Sequence, residues 1–245
     1  LIMINSQYLK NCPLTIYSNA YNEYTLGGCL PSKWGKQQRS VALRNPDSLA
    51  MHLVKQSLQK NHVQYSDIQF TSHRPHSLHT LAIHHSQPLS NMMSDLLQHS
   101  NNLTANALLK MLGAHYYQTQ GGFQNGLKAM TRLITHETHI DFSRALLTDA
   151  SGLSRYNLIQ PDQVTHLLYY INKNTITKKY LIPNLPRPGT GTMIYRPSAL
   201  KHRLQAKTGS MSGISSLAGY LKTKHHGVVS FSIIINGFVG SQKPF

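Results

Sequence analysis

Between residues 83 and 135 the apolar positions recur with the period of a helix. Over 86–97, Leu89, Met92, Met93, Leu96 and Leu97 stand at i, i+3, i+4, i+7 and i+8, the stripe of an amphipathic helix. A second stripe over 103–112 predicts a helix that stops at Gly113, because glycine most readily takes the left-handed conformation past a helix end. Between the two stands a polar interruption, His99-Ser100-Asn101-Asn102, of the kind that caps or turns a helix. Phe123, Leu127, Met130 and Ile134 mark another helix, and Gln160-Pro161-Asp162 opens one with Val164, Leu167, Leu168 and Ile171 inside. Upstream, Asn45-Pro46 starts a helix running to Lys60, with Leu49, Leu53, Val54 and Leu58 as its buried stripe.

Near the end the pattern changes. Residues 204–213 contain a strand-like segment, and a second β run, 228–235, follows the turn-forming Lys224-His225-His226-Gly227. Residues 1–4 also look like a strand, and 183–188 is a proline-rich connector. Helices gathered ahead of a terminal pair of strands predict an α+β fold.

Composition narrows the class. A chain of 245 residues can bury a real core, and a net charge of +16 with only 13% charged and 40% hydrophobic residues describes a globular chain with a basic bias. Such a bias suits an anionic partner: peptidoglycan, an anionic membrane surface or nucleic acid. The lysines and arginines are scattered and no aromatic-interleaved basic patch occurs, which argues against nucleic acid. No apolar run is long enough to span a bilayer. Cys12 and Cys29 flank a polar, Tyr- and Asn-rich loop, and their spacing leaves a disulfide and two free thiols equally open. His136-Glu137-Thr138-His139 imitates a zinc helix, but its histidines are three apart rather than four and no third ligand is evident, so no metal or other cofactor is expected.

Two short motifs carry chemistry. Lys207-Thr208-Gly209 places an ammonium and a hydroxyl on an edge strand, where they can hold an anionic substrate terminus, and glycine admits a substrate backbone. A plain hairpin with a basic edge strand would look the same. Upstream, Ser100-Asn101-Asn102 reads as Ser-x-Asn. That order is the order of the penicillin-recognising serine enzymes, whose third element is Ser-x-x-Lys.

With these residues in view, the chain resembles the D-alanyl-D-alanine carboxypeptidase/endopeptidases, the low-molecular-mass class C penicillin-binding proteins. Four stretches carry the likeness in the family's order: Gln87-Pro88-Leu89 through Ala105, Asp149 through Asn157, Gly191-Thr192-Met193 with Arg196, and Ala206 through Gly213. The resemblance implies a β-lactamase/transpeptidase-like fold, an antiparallel sheet flanked by helices, incomplete at its N-terminal side. It assigns 1–80 to a partial inserted or accessory domain and 81–245 to the C-terminal part of the penicillin-binding domain.

The implied reaction is acyl transfer through a serine ester on peptidoglycan stem peptides, in the periplasm or cell envelope, with β-lactams as inhibitors where the nucleophile is present. Ser100 would relay a proton, Asn102 would bind substrate backbone and orient a lysine, and Lys207 and Thr208 would fix the terminal carboxylate. Gly209 would admit the substrate, and the Ser210 N–H would serve the oxyanion hole. Asp149, Ser151, Arg155 and Arg196 would line or brace the cleft, a structural ion pair being the alternative for the charged ones. Both carboxypeptidase and endopeptidase action fit.

One departure stands against this set. The family's Ser-x-x-Lys lies near the N-terminus of the mature protein, and nothing before Asn45 resembles it. Ser57-Leu58-Gln59-Lys60 has the spacing but falls at the C-terminal end of its helix, away from the dipole and free amides that would help a developing oxyanion. The chain is therefore expected to be the downstream part of a longer protein that carries the nucleophile. A catalytically inactive protein that binds peptidoglycan, and a basic binding module with accidental motifs, are the competing readings.

Overall fold

The computed structural model describes residues 2–4, 12–31, 41–71, 77, 79–194 and 199–240, which fall into two compact units, 1–82 and 83–245. In the first unit, β1 (Ile2–Ile4), β2 (Thr15–Ser18), β3 (Tyr24–Gly27) and β4 (Cys29–Pro31) form two small sheets, β1 parallel to β4 and β2 antiparallel to β3. The segment between the cysteines is thus a hairpin rather than an open loop. Cys12 and Cys29 are disulfide-bonded at its foot, with Cα atoms 5.4 Å apart. Closing a loop of this size contributes about 3 kcal/mol by chain entropy.

Helix α1 (Pro46–Lys60) starts where Asn45 accepts from the Ser48 N–H at 2.9 Å and proline takes the first turn. Ser57 lies in its last turn, its carbonyl accepting from the Asn61 N–H at 3.1 Å. The expected buried stripe is not buried: Leu49, Leu53 and Val54 are exposed and no residue of α1 is buried. Ribbons of three or four residues offer no face wide enough to cover a helix of 15 residues.

The second unit carries the core. Helices α2 (Leu89–His99), α3 (Asn102–Tyr117), α4 (Phe123–Thr138), α5 (Pro161–Lys173) and α6 (Thr175–Leu181) precede the strands β5 (Leu204–Met211), β6 (Ile214–Lys222) and β7 (Val228–Asn236). The fold is α+β, a meander of three antiparallel strands in the order β5-β6-β7 with helices against it. Two strands were expected. The third arises because Ser212-Gly213 closes a two-residue turn with Gly213 at φ 73°, folding 204–222 back on itself. Helix α5 packs on β6 and β7, where the buried Tyr220 donates its hydroxyl to the Leu168 carbonyl at 2.7 Å.

Gly113 does not end α3. It is buried inside the helix, where a Cβ would come within 2.6 Å of the Gly126 nitrogen on α4. Its small size sets the close approach of the two helices, and α3 continues another turn to end at Gln118 in the left-handed conformation. Helix α6 was not expected. Its β-branched Thr175, Ile176 and Thr177 are poor helix formers, and Asn174 starts it by accepting from the Ile176 and Thr177 N–H groups at 3.1 and 3.0 Å.

Candidate active site

The polar interruption after α2 both caps helices and lines a cleft. Helix α2 ends at His99, and Ser100 adopts φ 56°, a left-handed conformation that costs a residue with a Cβ about 1 kcal/mol. Asn101 then locks the junction: its Oδ1 accepts from the Thr104 N–H at 3.1 Å and its Nδ2 donates to Asp95 Oδ2 at 2.7 Å. Ser100, Asn101 and Asn102 all line one cleft of about 800 Å³, and with Asn101 held by these bonds the side chains of Ser100 and Asn102 remain for other partners there.

Strand β5, at one edge of the meander, brings the second motif to that cleft. Lys207 Nζ donates to Ser100 Oγ at 2.8 Å and to the Thr208 carbonyl at 2.9 Å. Burial pulls the Lys207 ammonium below its ordinary pKa, since desolvation disfavours the charged form. Because Ser100 Oγ accepts from the lysine, its own proton is free for another acceptor in the cleft. Thr208 Oγ1 donates to Thr192 Oγ1 at 2.8 Å, pairing two hydroxyls on the cleft wall. Thr192 sits in the 3-10 turn Gly191–Met193, which presses on the end of α2: a Cβ on Gly191, at φ 50°, would lie 2.6 Å from the Gln98 carbonyl oxygen. Gly209 and Ser210 also line the cleft, and a Cβ on Gly209 would overlap the Ser216 hydroxyl of β6.

Of the remaining expected residues, Ser151 lines the cleft, while Asp149 and Arg155 do not. Asp149 organises its own loop instead, accepting from Gly152 N at 2.7 Å, Ser154 N at 2.9 Å and Asn157 Nδ2 at 2.9 Å. Burial pushes its carboxyl up, but these bonds outweigh that effect and hold it below its ordinary pKa. Arg155 donates to the Ser212 carbonyl at 2.9 Å, and neither charged residue forms an ion pair among the described residues. Arg196 lies outside the described residues. Two residues went unread in the sequence. Thr192, on the cleft wall, stood inside a family-like stretch with no role attached, and Asn106, four residues after Asn102 and behind the lining, carried no motif.

The family model described as D-Ala-D-Ala carboxypeptidase 3 (S13) matches residues 4–244. The chain belongs to this S13 family. It is 30% identical over 233 residues to the D-alanyl-D-alanine carboxypeptidase DacB of Haemophilus influenzae, covering 93% of this chain and 48% of the relative. It is also 30% identical over 230 residues to the D-alanyl-D-alanine carboxypeptidase of Actinomadura sp. (strain R39), covering 89% of this chain and 42% of that one. Among solved structures, penicillin binding protein 4 (dacB) from Haemophilus influenzae, complexed with a novel beta-lactam, superposes with a TM-score of 0.84 at 29% identity. That match covers 99% of this chain and 57% of the other. The α+β fold is therefore the penicillin-binding, β-lactamase-like one, and the chain spans about half the length of the curated S13 relatives it matches.

In this S13 chain His136 Nδ1 lies 3.1 Å from Glu137 Oε1, and His139 is the left-handed cap of α4. Among the described residues no group of three or more His, Cys, Asp or Glu could hold a metal, and no helix is long and apolar enough to cross a membrane.

Proposed function

We propose that this chain supplies the Ser-x-Asn and Lys-Thr-Gly sides of a serine-type D-Ala-D-Ala carboxypeptidase/endopeptidase site acting on peptidoglycan stem peptides in the periplasm or cell envelope. The observation that carries this reading is the 2.8 Å bond between Lys207 and Ser100 inside a cleft also lined by Asn102, Thr208 and Ser210. In the acyl-transfer step a nucleophilic serine, giving its proton to the lysine of its own Ser-x-x-Lys, attacks the carbonyl between two D-alanines, the C–N bond breaks, and the leaving amine takes a proton. Ser100 gives that proton from its free O–H and regains one from Lys207, whose lowered pKa eases the transfer. Thr208 and Thr192 offer a hydroxyl pair to the terminal carboxylate, the Ser210 N–H faces the oxyanion, and Asn102 takes the peptide backbone. β-Lactams enter as inhibitors because they present a strained amide to the same groups.

We assign the nucleophile to a Ser-x-x-Lys segment of the complete gene product outside these residues, and residues 1–80 to an accessory domain inserted before the site. Fluorescent penicillin should label the complete gene product covalently and leave the 245-residue chain unlabelled. Labelling of the chain alone that vanishes in Ser57→Ala, or in Ser198→Ala of the similarly spaced Ser198-Ala199-Leu200-Lys201, would place the nucleophile inside the chain. A complete gene product that resists labelling would favour a catalytically inactive binding protein.

A further inference from the structure

We infer that Asn106 is a positioning residue, whose carboxamide oxygen holds segment 149–157 in place as a wall of the cleft, with Arg155 as the second anchor. Asn106 stands one helical turn after Asn102, so α3 presents the two on neighbouring positions of one face. Its Oδ1 accepts from both the Ala150 and the Ser151 N–H, each at 3.1 Å, across 44 and 45 positions of sequence. At the other end, Arg155 Nη2 donates to the Ser212 carbonyl in the turn joining β5 to β6. The segment is thereby tied to the helix that carries Asn102 and to the hairpin that carries Lys207.

Apolar burial cannot do this job. Leu153 is 59% exposed and Tyr156 75% exposed, so little hydrophobic contact holds the segment against the core. Its internal shape comes from polar bonds as well. Asp149 gathers the Gly152 and Ser154 amides, and Asn157 Oδ1 accepts from the Thr148 N–H at 2.7 Å and the Asp149 N–H at 3.3 Å. A loop that is rigid inside and anchored at two points moves as a body if an anchor is removed. Ser151, Gly152 and Leu153 would then shift relative to Ser100 and Lys207, and the cleft would fit a bound ligand less closely.

The tie stands on geometry alone, while its kinetic consequence rests on the acyl-transfer reading. Two measurements keep them apart. In the 245-residue chain, Asn106→Ala should speed amide exchange over 148–157 about tenfold with α4 and β6 unchanged, and Arg155→Gln should do so more weakly over 153–157. In the complete gene product, Asn106→Ala should raise the penicillin concentration for half-maximal acylation rate about tenfold and change the maximal rate less than twofold, because the wall flanks the ligand rather than the reacting atoms. Unchanged exchange, a chain that no longer folds, or a fall in labelled fraction that matches loss of folded protein would overturn the proposal. If exchange responds as expected and the unsubstituted gene product is never acylated, the tie holds and the acyl-transfer reading falls. If acylation is normal and exchange is unmoved, the reverse is true.

Discussion

Lys207 and Asp149 are both charged residues withdrawn from full solvent contact in the same unit, and the fold treats them in opposite ways. Asp149 receives three donors from one loop, which hold its carboxylate in the ionised form against the cost of burial. Lys207 has two neutral oxygens for its ammonium, Ser100 Oγ and the Thr208 carbonyl, and desolvation wins. The first arrangement is structural, since a charge that is fully paired has nothing left to give. The second leaves a proton that is easier to move, beside a hydroxyl with a free hydrogen, on the wall of a cleft. In a chain of +16 net charge, it is the poorly compensated cation rather than the well-compensated anion that marks the site.

The largest expected effect separates activity from stability at the first of these places. In the complete gene product, Lys207→Ala and Ser100→Ala should each lower D,D-peptidase turnover by on the order of 100- to 1000-fold, because each removes a preorganised group of the reacting site. Melting temperature should stay within a few degrees, both side chains lying on the cleft rather than in the core. Turnover that falls only as far as the folded fraction would make them structural and erase the contrast.

Asp149→Ala should show the opposite split, costing about 2 kcal/mol of stability through the amides it leaves unpaired. The sign of its pH dependence follows from the lowered pKa. The wild-type advantage is present above the ordinary carboxylate value of 3.8 and is lost as pH falls through the folded value. Chemical denaturation of both proteins between pH 2 and pH 7 checks this, and an advantage that persists at the acid end would show that the carboxylate charge contributes nothing.

A buried neutral group sharpens the comparison at a smaller scale. Tyr220→Phe removes the bond to the Leu168 carbonyl and should cost about 1 kcal/mol. Burial pushes the Tyr220 hydroxyl up to about 12, so its share of stability is present below the ordinary value of 10.0 and is lost as pH rises through the folded value. The smallest effect belongs to Lys207→Met, which should leave the protein as stable as wild type or slightly more so at neutral pH. With its folded pKa lowered, Lys207 binds fewer protons in the native state than unfolded as pH approaches 10.5, so the gain from Lys207→Met should shrink over that range. A gain that grows with pH would mean that the ammonium is stabilised in place.

Much of the second unit was legible from local chemistry. The stripes at Leu89–Leu97 and Phe123–Ile134, the proline at position 161 and the glycine-closed turn at 227 each act within a turn or two of chain, and the structure has helices or strands where they point. Local signals failed where a second element changed their meaning. Gly113 reads as a stop signal until α4 is laid across it, and the α1 stripe reads as buried until the described residues of its unit prove to leave it exposed.

By itself, the sequence determined where α1 to α5 lie, singled out Ser100, Asn102 and Lys207 as candidates for chemistry, and showed which family the chain resembles, because periodicity, capping and short motifs are written in neighbouring positions. Only the tertiary structure decided that Lys207 meets Ser100 across 107 positions, that Thr192 comes to stand beside Thr208, and that Asn106 accepts from the Ala150 and Ser151 amides. Those contacts depend on how α2, α3 and the β5 edge are brought together, and the closing of such long loops is driven by burial of core residues such as Leu109, Ala129, Met193 and Ala206, none of which lines the cleft.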